Sequence, residues 1–430
     1  MHRMEGHLQA DAAIIGGGLT GLLLASALLA EGMQVAVLTT GHDHCNCSAA
    51  ASVLCHGAQL EQIRRIHGVQ SAASNAAALF EQLQSLTVRP VPYIRPTPVY
   101  LYARTPAELP LLQRRQALFS NLNIPVSIAP DAGGCPFPVE LSLTAQDGCL
   151  ANVPGWIRAL KAQILRCGGR LLTIDRLIGL ESTRIYTPQG WVEAPRIIHA
   201  DGIPAGLKDK RLLMLLENHT HLHSRMEGDY PLHSVQLPVS TGMTLLPDAS
   251  GLTVHFDAGP CGARQAQENE SCFEPLLTRL LPDHRMVAFG HACEEVTLDG
   301  LPVVGALSGS HHLCAAGCRE VLSAMHAAAA LYRLVLGRSR PDDAAFAPDR
   351  PLPAGLANRR RAHLAAHNTL SLLHPGAPVC PHCGCRMRYA ACSAAWGCPA
   401  CGSVFDMLGH HRSGPSLKQA QVSALQRPDI

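Results

Sequence analysis

The sequence predicts an α/β and α+β chain of several domains, and three observations predict it. Residues 12–38 read as strand, glycine turn, helix and strand, the order of a Rossmann-type βαβ unit. The middle of the chain mixes helical stripes with hairpin signals and short apolar runs. Near the C-terminus, Cys380-Pro-His-Cys383-Gly and Cys398-Pro-Ala-Cys401-Gly form two near-identical knuckles, the mark of a small metal-binding β module.

Composition sets the outer limits. A chain of 430 residues, 47% hydrophobic and 16% charged, suits two or three domains with large cores. Aromatic residues are only 4%, so those cores rest on Leu, Ala, Val and Ile. The formal net charge of +2 comes with no dominant basic block, which argues against a nucleic-acid partner. Seventeen cysteines, six of them between Cys380 and Cys401, read as metal-site density and not as a disulfide framework. A reducing compartment, the cytoplasm, follows as the expected location.

In the first unit, Ala12 to Ile15 is a short apolar run expected as a buried strand. Gly16-x-Gly18-x-x-Gly21 follows it, Leu19 to Ala30 reads as the helix, Gly32 ends that helix, and Val35 to Leu38 is the second strand. Each glycine has its own task. Gly16 makes the tight turn, Gly18 lets the backbone approach a pyrophosphate, and Gly21 lets the helix pack closely on the strand. The second strand of such a unit should end in an acid that bonds the adenosine ribose. Here Thr39 takes the position, and its hydroxyl lacks the charge assistance of a carboxylate. The uncharged run from Ala12 to Ala30 resembles a signal peptide or membrane span only superficially. Its internal glycines, and Glu5 and Asp11 before it, exclude both.

Further along, Trp156, Leu160, Ile164 and Leu165 give a helical stripe that Gly168-Gly169 stops, with two strand-like runs after it. A hairpin about Gln189-Gly190 leads to a buried strand from Arg196 to Ala200. A long Ala/Leu helix runs from Val321 to about Leu336. Residues 341–378, rich in Pro, Ala and Arg, read as a linker with a short helix from Leu356 to Ala366. Within it, Arg359-Arg360-Arg361 reads as a solvated charge cluster.

These pieces, in this order, resemble the D-amino-acid-oxidase-like FAD oxidoreductases. "IIGGGLTGLLLASALLAEGMQVAVL" resembles the family's flavin fingerprint, apart from the acid replaced at Thr39. "CGGRLLTIDRLIGLE" and "VEAPRIIHADG" are similar to its adenine-side strand and the strand after it, and "DGLPVVG" (Asp299 to Gly305) to its second flavin motif. The resemblance implies a Rossmann-type FAD-binding domain (8–85, 150–207 and 285–345) interleaved with a mixed β-sheet substrate domain (86–149 and 208–284). It also implies flavin contacts at Gly16, Gly18, Gly21, Thr39, Ser48, Leu177, Gly202, Asp299, Gly300 and Gly317. The "LCAAGC" segment would offer backbone amides to the flavin, with Cys314 and Cys318 as small apolar lining groups.

Past a linker at 346–375, residues 376–430 resemble the Rieske-type [2Fe–2S] domain that one subfamily carries. Cys380-Pro-His382 is similar to the first half of its ligand motif, fifteen residues separate His382 from Cys398, and "GSVFD" and "SGP" follow as they do there. The second ligand histidine is Cys401, however, and the second supporting cysteine is Ala400, so the supporting disulfide of such domains has no partner here. Three readings stay open. Cys380, Cys383, Cys398 and Cys401 hold one zinc or rubredoxin-like iron. Alternatively, Cys380, His382, Cys398 and Cys401 hold a [2Fe–2S] cluster of lowered potential. In the third reading the site is vestigial. "HDHCNC" (His42 to Cys47) reads as loop lining and not as a further metal site.

The expected function is oxidation of a small amine or amino acid, with hydride transfer to FAD and O₂ or another acceptor taking the electrons. No catalytic residue is identifiable. Arg285, Arg319 and His291 are the candidates for gripping a substrate carboxylate, and Arg319 reads more simply as a helix-start residue. The arginine common in the family upstream of Asp-Gly-x-Pro is absent, with His291, Glu294 and Glu295 in that area. The alternative is a catalytically degenerate flavin-fold scaffold with a structural zinc.

Overall fold

The computed structural model describes residues 2–40, 52–55, 93–121, 124–130, 137–146, 148–204, 209–228, 235–238, 243–248, 251–260, 264–318, 320–373, 377–390, 395–413 and 416–422. Two compact units divide the chain. One comprises Met1–Ala49, Pro154–Asn218 and Glu294–Ile430; the other comprises Ala50–Val153 and His219–Cys293.

The first unit is organised by a seven-stranded sheet. Its order is His2–Arg3, Arg170–Ile174, Val35–Thr40, Ala12–Ile15, Ile197–His199, Leu313–Ala316 and Val303–Ala306. All pairings are parallel except the last. Strand Ala12–Ile15 lies centrally with all four side chains buried, as an apolar run covered on both faces requires. Helix Leu19–Ala30 follows it and packs against helix Val321–Val335, itself buried along most of its length. The two helices are also tied at their ends, where Tyr332 donates to Glu31. Gly32, at φ +82°, ends the first of them. The hairpin about Gln189-Gly190 forms as expected, Arg184–Thr187 against Gly190–Glu193, and strand Gly6–Gln9 extends its sheet.

Residues 341–373 are not a plain linker. Helix Ala354–Leu373 is longer than the segment expected from Leu356 to Ala366, and Phe346 before it is buried. Arg360 is 1% exposed and donates to the carbonyls of Leu213 (3.1 Å) and Leu216 (2.7 Å) and to Glu217 Oε1 (3.2 Å). The arginine triplet is therefore solvated only at Arg359 and Arg361. Composition alone does not reveal that one of three adjacent arginines points inward.

The tail folds as an antiparallel meander of four short strands, Arg388–Ala390, Ala395–Gly397, Val404–Asp406 and His411–Ser413. Its Trp396, Phe405 and Met387 share one apolar cluster with Leu215, Leu216, Val303 and Ala316 of the large-sheet region. Burying side chains of this size contributes about 1.5–3 kcal/mol each, so the tail is seated on this unit by its own core.

The second unit holds an eight-stranded sheet. Strand Leu216–Glu227 lies between Arg285–Thr297 and Gly251–Pro260, and Met243–Asp248, Val235–Pro238, Val99–Ala103, Leu141–Ala145 and Val126–Ala129 complete the order. Helix Arg264–Leu280 covers one face through Phe273 and Leu277, which meet Leu222, Met226, Leu252 and Val254. No described helix is long and apolar enough to cross a membrane.

Candidate functional site

The glycine turn is built by close approach. Gly16 has φ +120°, and a Cβ there would stand 2.6 Å from the carbonyl carbon and oxygen of Ala200. A Cβ on Gly21, in the first helical turn, would stand 2.1 Å from the carbonyl oxygen of Gly16. Gly18 is the helix N-cap and has no side chain with which to cap that end. The helix start is therefore suited to an anion such as a pyrophosphate.

The other expected cofactor contacts distribute as follows. Thr39 is buried near the end of strand Val35–Thr40, paired in register with Thr173. The Leu177 side chain sinks into the core with Ile15, Leu38 and Ile174, so only its backbone could serve a cofactor. Gly202 follows strand Ile197–His199 with φ +100°, and Gly300 turns the chain with φ +77°. Gly317 follows strand Leu313–Ala316 with φ +66°, where a Cβ would strike Thr297 Cγ2 at 2.3 Å. Asp299 is fully buried and forms a two-pronged ion pair with Arg350, Oδ2 to Nε at 2.7 Å and Oδ1 to Nη2 at 2.8 Å. That carboxylate holds the turn. Ser48 and the segment His42 to Cys47 lie outside the described residues. Cys314 is fully buried, which pushes its thiol up to about 12 and suits an apolar lining group, and Cys318 donates to the Ala316 carbonyl.

Glu295 is the residue whose place sequence reasoning did not foresee. Its carboxylate accepts from Ile203 N–H at 2.7 Å and also from the Gly317 backbone. A Cβ at Gly202 would stand 2.8 Å from its Oε1. Burial pushes this carboxyl up to about 7, against the two backbone donors and with the Asp201 carboxylate adding to the rise. A carboxyl of raised proton affinity therefore sits between the Gly202 and Gly317 segments. Of the cation candidates, Arg285 is 78% exposed and pairs with Glu227 at 2.8 Å, a surface contact worth at most about 1 kcal/mol. The backbone of His291 lies on strand Arg285–Thr297, and Arg319 is outside the described residues.

The tail brings four thiols together. Each knuckle closes alike: Gly384 N–H donates to Cys380 O and Gly402 N–H to Cys398 O, both at 2.9 Å, with the glycines at φ +78° and +73°. The Sγ atoms of Cys380, Cys383, Cys398 and Cys401 all lie within 4.8 Å of one another, at 3.6 Å for Cys380–Cys401 and 3.3 Å for Cys383–Cys398. One tetrahedral ion with bonds of about 2.3 Å to sulfur needs edges of about 3.8 Å, so the donor set fits a single ion with little movement. Hydrogen bonds from Cys383, Cys398 and Cys401 hold the Cys380 thiol far below its ordinary value, and contact with Cys380 pushes Cys398 well above it. His382 is buried but does not join the converging set, and no disulfide occurs among the described cysteines.

Comparison with known proteins follows the same division. The family model described as "DAO: FAD dependent oxidoreductase" matches residues 11–334. Among solved structures, glycine oxidase from Geobacillus kaustophilus matches with a TM-score of 0.63 at 18% identity, covering 80% of this chain and 100% of that one. L-Amino acid deaminase from Proteus myxofaciens matches at 0.60 and 14%, covering 81% and 96%. Iminodiacetate oxidase from Chelativorans sp. BNC1 matches at 0.58 and 15%, covering 77% and 96%. At such identities these structures show a shared fold. No curated protein matched.

Proposed function

The chain belongs to the DAO family of FAD-dependent oxidoreductases, and from that premise we propose that it oxidises a small amine or amino acid with hydride transfer to FAD. The observation that carries the cofactor part is the crowded glycine turn, where Gly16 and Gly21 leave no room for a Cβ and the helix start has no side-chain cap. In this reading Gly16, Gly18 and Gly21 receive the pyrophosphate, Thr39 the ribose, and Leu177, Gly202, Gly300 and Gly317 line the flavin through their backbones. Ser48 and Asp299 complete the set, Asp299 by fixing its turn. FAD, when bound, supplies the hydride acceptor.

Glu294 and Glu295 lie near the end of the long strand Arg285–Thr297. Glu295, held near neutrality, can take the proton an ammonium group must lose before its C–H bond is oxidised. Anaerobic mixing of the FAD-loaded protein with panels of amines and amino acids tests the reading: bleaching by a member of one panel is expected, and a protein that takes up no FAD, or whose FAD no member bleaches, would overturn it.

For the tail we propose one zinc bound by Cys380, Cys383, Cys398 and Cys401. The support is the single-ion spacing of the four sulfurs, since a two-iron cluster needs its ligand pairs spread apart by two metals and their bridging sulfides. Metal analysis of protein purified without air checks it: zinc at one equivalent is expected, and two irons with acid-labile sulfide would refute it.

A further inference from the structure

A second set of metal-ligating side chains lies in the other unit, on the eight-stranded sheet. Strand Leu216–Glu227 carries Asn-His219-Thr-His221-Leu-His223 at its start, so three histidines recur with the period of two that puts side chains on one face. The alternate face is accounted for. Leu222 and Met226 pair with Phe256 and Leu252 and sink under helix Arg264–Leu280. His221, His223 and Arg225 pair with Asp257, His255 and Thr253 and share the opposite face.

The ladder runs in unbroken register from Glu227–Gly251 to His221–Asp257, so Asp257 stands directly opposite His221 on the histidine face. A bulge follows: Thr220 pairs with Gly259, so Ala258 is the extra residue, and its side chain lies in the core. His219 Nδ1 then lies 3.0 Å from Asp257 Oδ1, and His221 Nε2 lies 3.9 Å from the same oxygen. The three ligand atoms all fall within 4.8 Å. Gly259 N–H donates to Asp257 Oδ1 at 2.9 Å and orients the carboxylate. The two imidazole rings are near-parallel, 17° apart.

We propose that His219 Nδ1, His221 Nε2 and an Asp257 carboxylate oxygen bind one divalent transition-metal ion, of the zinc, cobalt or nickel class. Bonds of about 2.05 Å to one ion set neighbouring N and O donors about 2.9 Å apart at right angles and about 3.4 Å apart in a tetrahedron. The observed 3.0 and 3.9 Å bracket those values, so a shift of about half an ångström completes the site. Two imidazoles and one carboxylate suit borderline ions, whereas magnesium and calcium prefer all-oxygen sets and Cu(I) prefers sulfur. Burial is graded. The His221 side chain is 8% exposed, while His219 and Asp257 are 19% and 25% exposed. The ion would enter past the outer two and keep at least one position for water or a small ligand. Imidazole binds a metal only in its neutral form, so binding strengthens as pH rises. The site differs from the tail cluster in donor chemistry and in location.

Cobalt(II) titration of the intact chain tests this, because the two sites give different spectra. The thiolate site shows intense sulfur-to-cobalt bands. The His/His/Asp site should add a second equivalent with weak visible bands only. Asp257→Asn keeps the shape and should keep the Gly259 contact, so its fold is expected to survive; His221→Ala provides the second variant. Circular dichroism checks both for folding. Loss even of a residue that orients a metal ligand costs ten- to a hundredfold in affinity, so loss of a ligand should weaken the second equivalent about tenfold or more. The sulfur bands should stay unchanged. In a Cys401→Ser chain the sulfur bands should weaken while the second equivalent stays. Equal stoichiometry and affinity in wild type and folded Asp257→Asn would overturn the proposal and assign the binding to scattered surface histidines.

Discussion

Arg350→Met should uncouple the Asp299 turn from the rest of the fold. The Arg350 guanidinium is 6% exposed and grips a carboxylate that is fully buried. It also donates to the carbonyls of Leu301 (2.7 Å), Pro302 (3.0 Å) and Phe346 (3.1 Å). Met fills similar volume and adds no clash. What it leaves behind is a buried carboxylate without its cation, which costs about 3–5 kcal/mol. Arg350 lies beyond the family-matched residues 11–334, yet it fixes the turn expected to pass beneath the flavin. Its loss should therefore lower FAD content together with stability.

The assay is urea unfolding followed by circular dichroism and by flavin fluorescence, with a thermal scan alongside. For a unit of this size each kcal/mol moves the midpoint by about 2–4 °C, so a fall on the order of 10 °C is expected. The double variant Arg350→Met/Asp299→Leu removes the stranded charge and should recover much of the loss, because replacing a whole buried pair with apolar groups is often near neutral. A single variant that loses less than about 1 kcal/mol, or a double variant no better than the single, would refute the reasoning about the pair.

Three further outcomes are expected. Gly21→Ala sets a Cβ 2.1 Å from Gly16 O, so the chain should purify with little FAD and resist reconstitution, which absorbance near the flavin band measures. Cys401→Ser should lose its tail metal in the presence of a chromophoric chelator at least tenfold faster than wild type, whereas His382→Ala should keep one equivalent; dependence on His382 would restore the iron–sulfur reading. Burial holds His199 down at about 3, with His312 adding to the effect, against an ordinary value of 6.5. The folded state thus binds fewer protons than the unfolded one. Its stabilising contribution is complete above pH 6.5 and is lost as pH falls towards 3. Urea midpoints between pH 7 and pH 4.5 should fall less steeply in His199→Gln than in wild type.

The flavin-type half was legible because its signals are local. Ala12–Ile15, Leu19–Ala30 and the hairpin about Gln189-Gly190 each depend on periodicity and punctuation within a few residues. The knuckles were legible for the same reason: Cys-x-x-Cys-Gly specifies its own turn. What escaped depends on distant partners. Helix Ala354–Leu373 looked like linker because its composition is polar, and only the carbonyls of Leu213 and Leu216 explain why Arg360 turns inward. Glu295 gained meaning from Ile203 and Gly317. The His-x-His-x-His run was not singled out from the sequence, because its carboxylate, Asp257, arrives from another strand by pairing with His221.

The position of the thiolate cluster bears on what the proposed zinc would do. A zinc with four thiolates carries a net charge of about −2, costly to bury without a counter-charge. Arg360, fully buried and paired with Glu217, feels the thiols of both Cys385 and Cys398, so a cation is already in place beside the cluster. Gly402 of the second knuckle lies so close to Asn218 that a Cβ would stand 2.6 Å from its Oδ1. The cluster is thus wedged against residues 213–218, where strand Leu216–Glu227 begins. A four-thiolate ion there would have no open position, and three of its four ligands are buried, as befits a structural site. Its consequence would be mechanical. It would brace the start of strand Leu216–Glu227, because the cluster shares one core with Leu215, Leu216, Val303 and Ala316 beside the Asp299 turn. In the zinc reading, Cys401 is the fourth ligand that closes this brace.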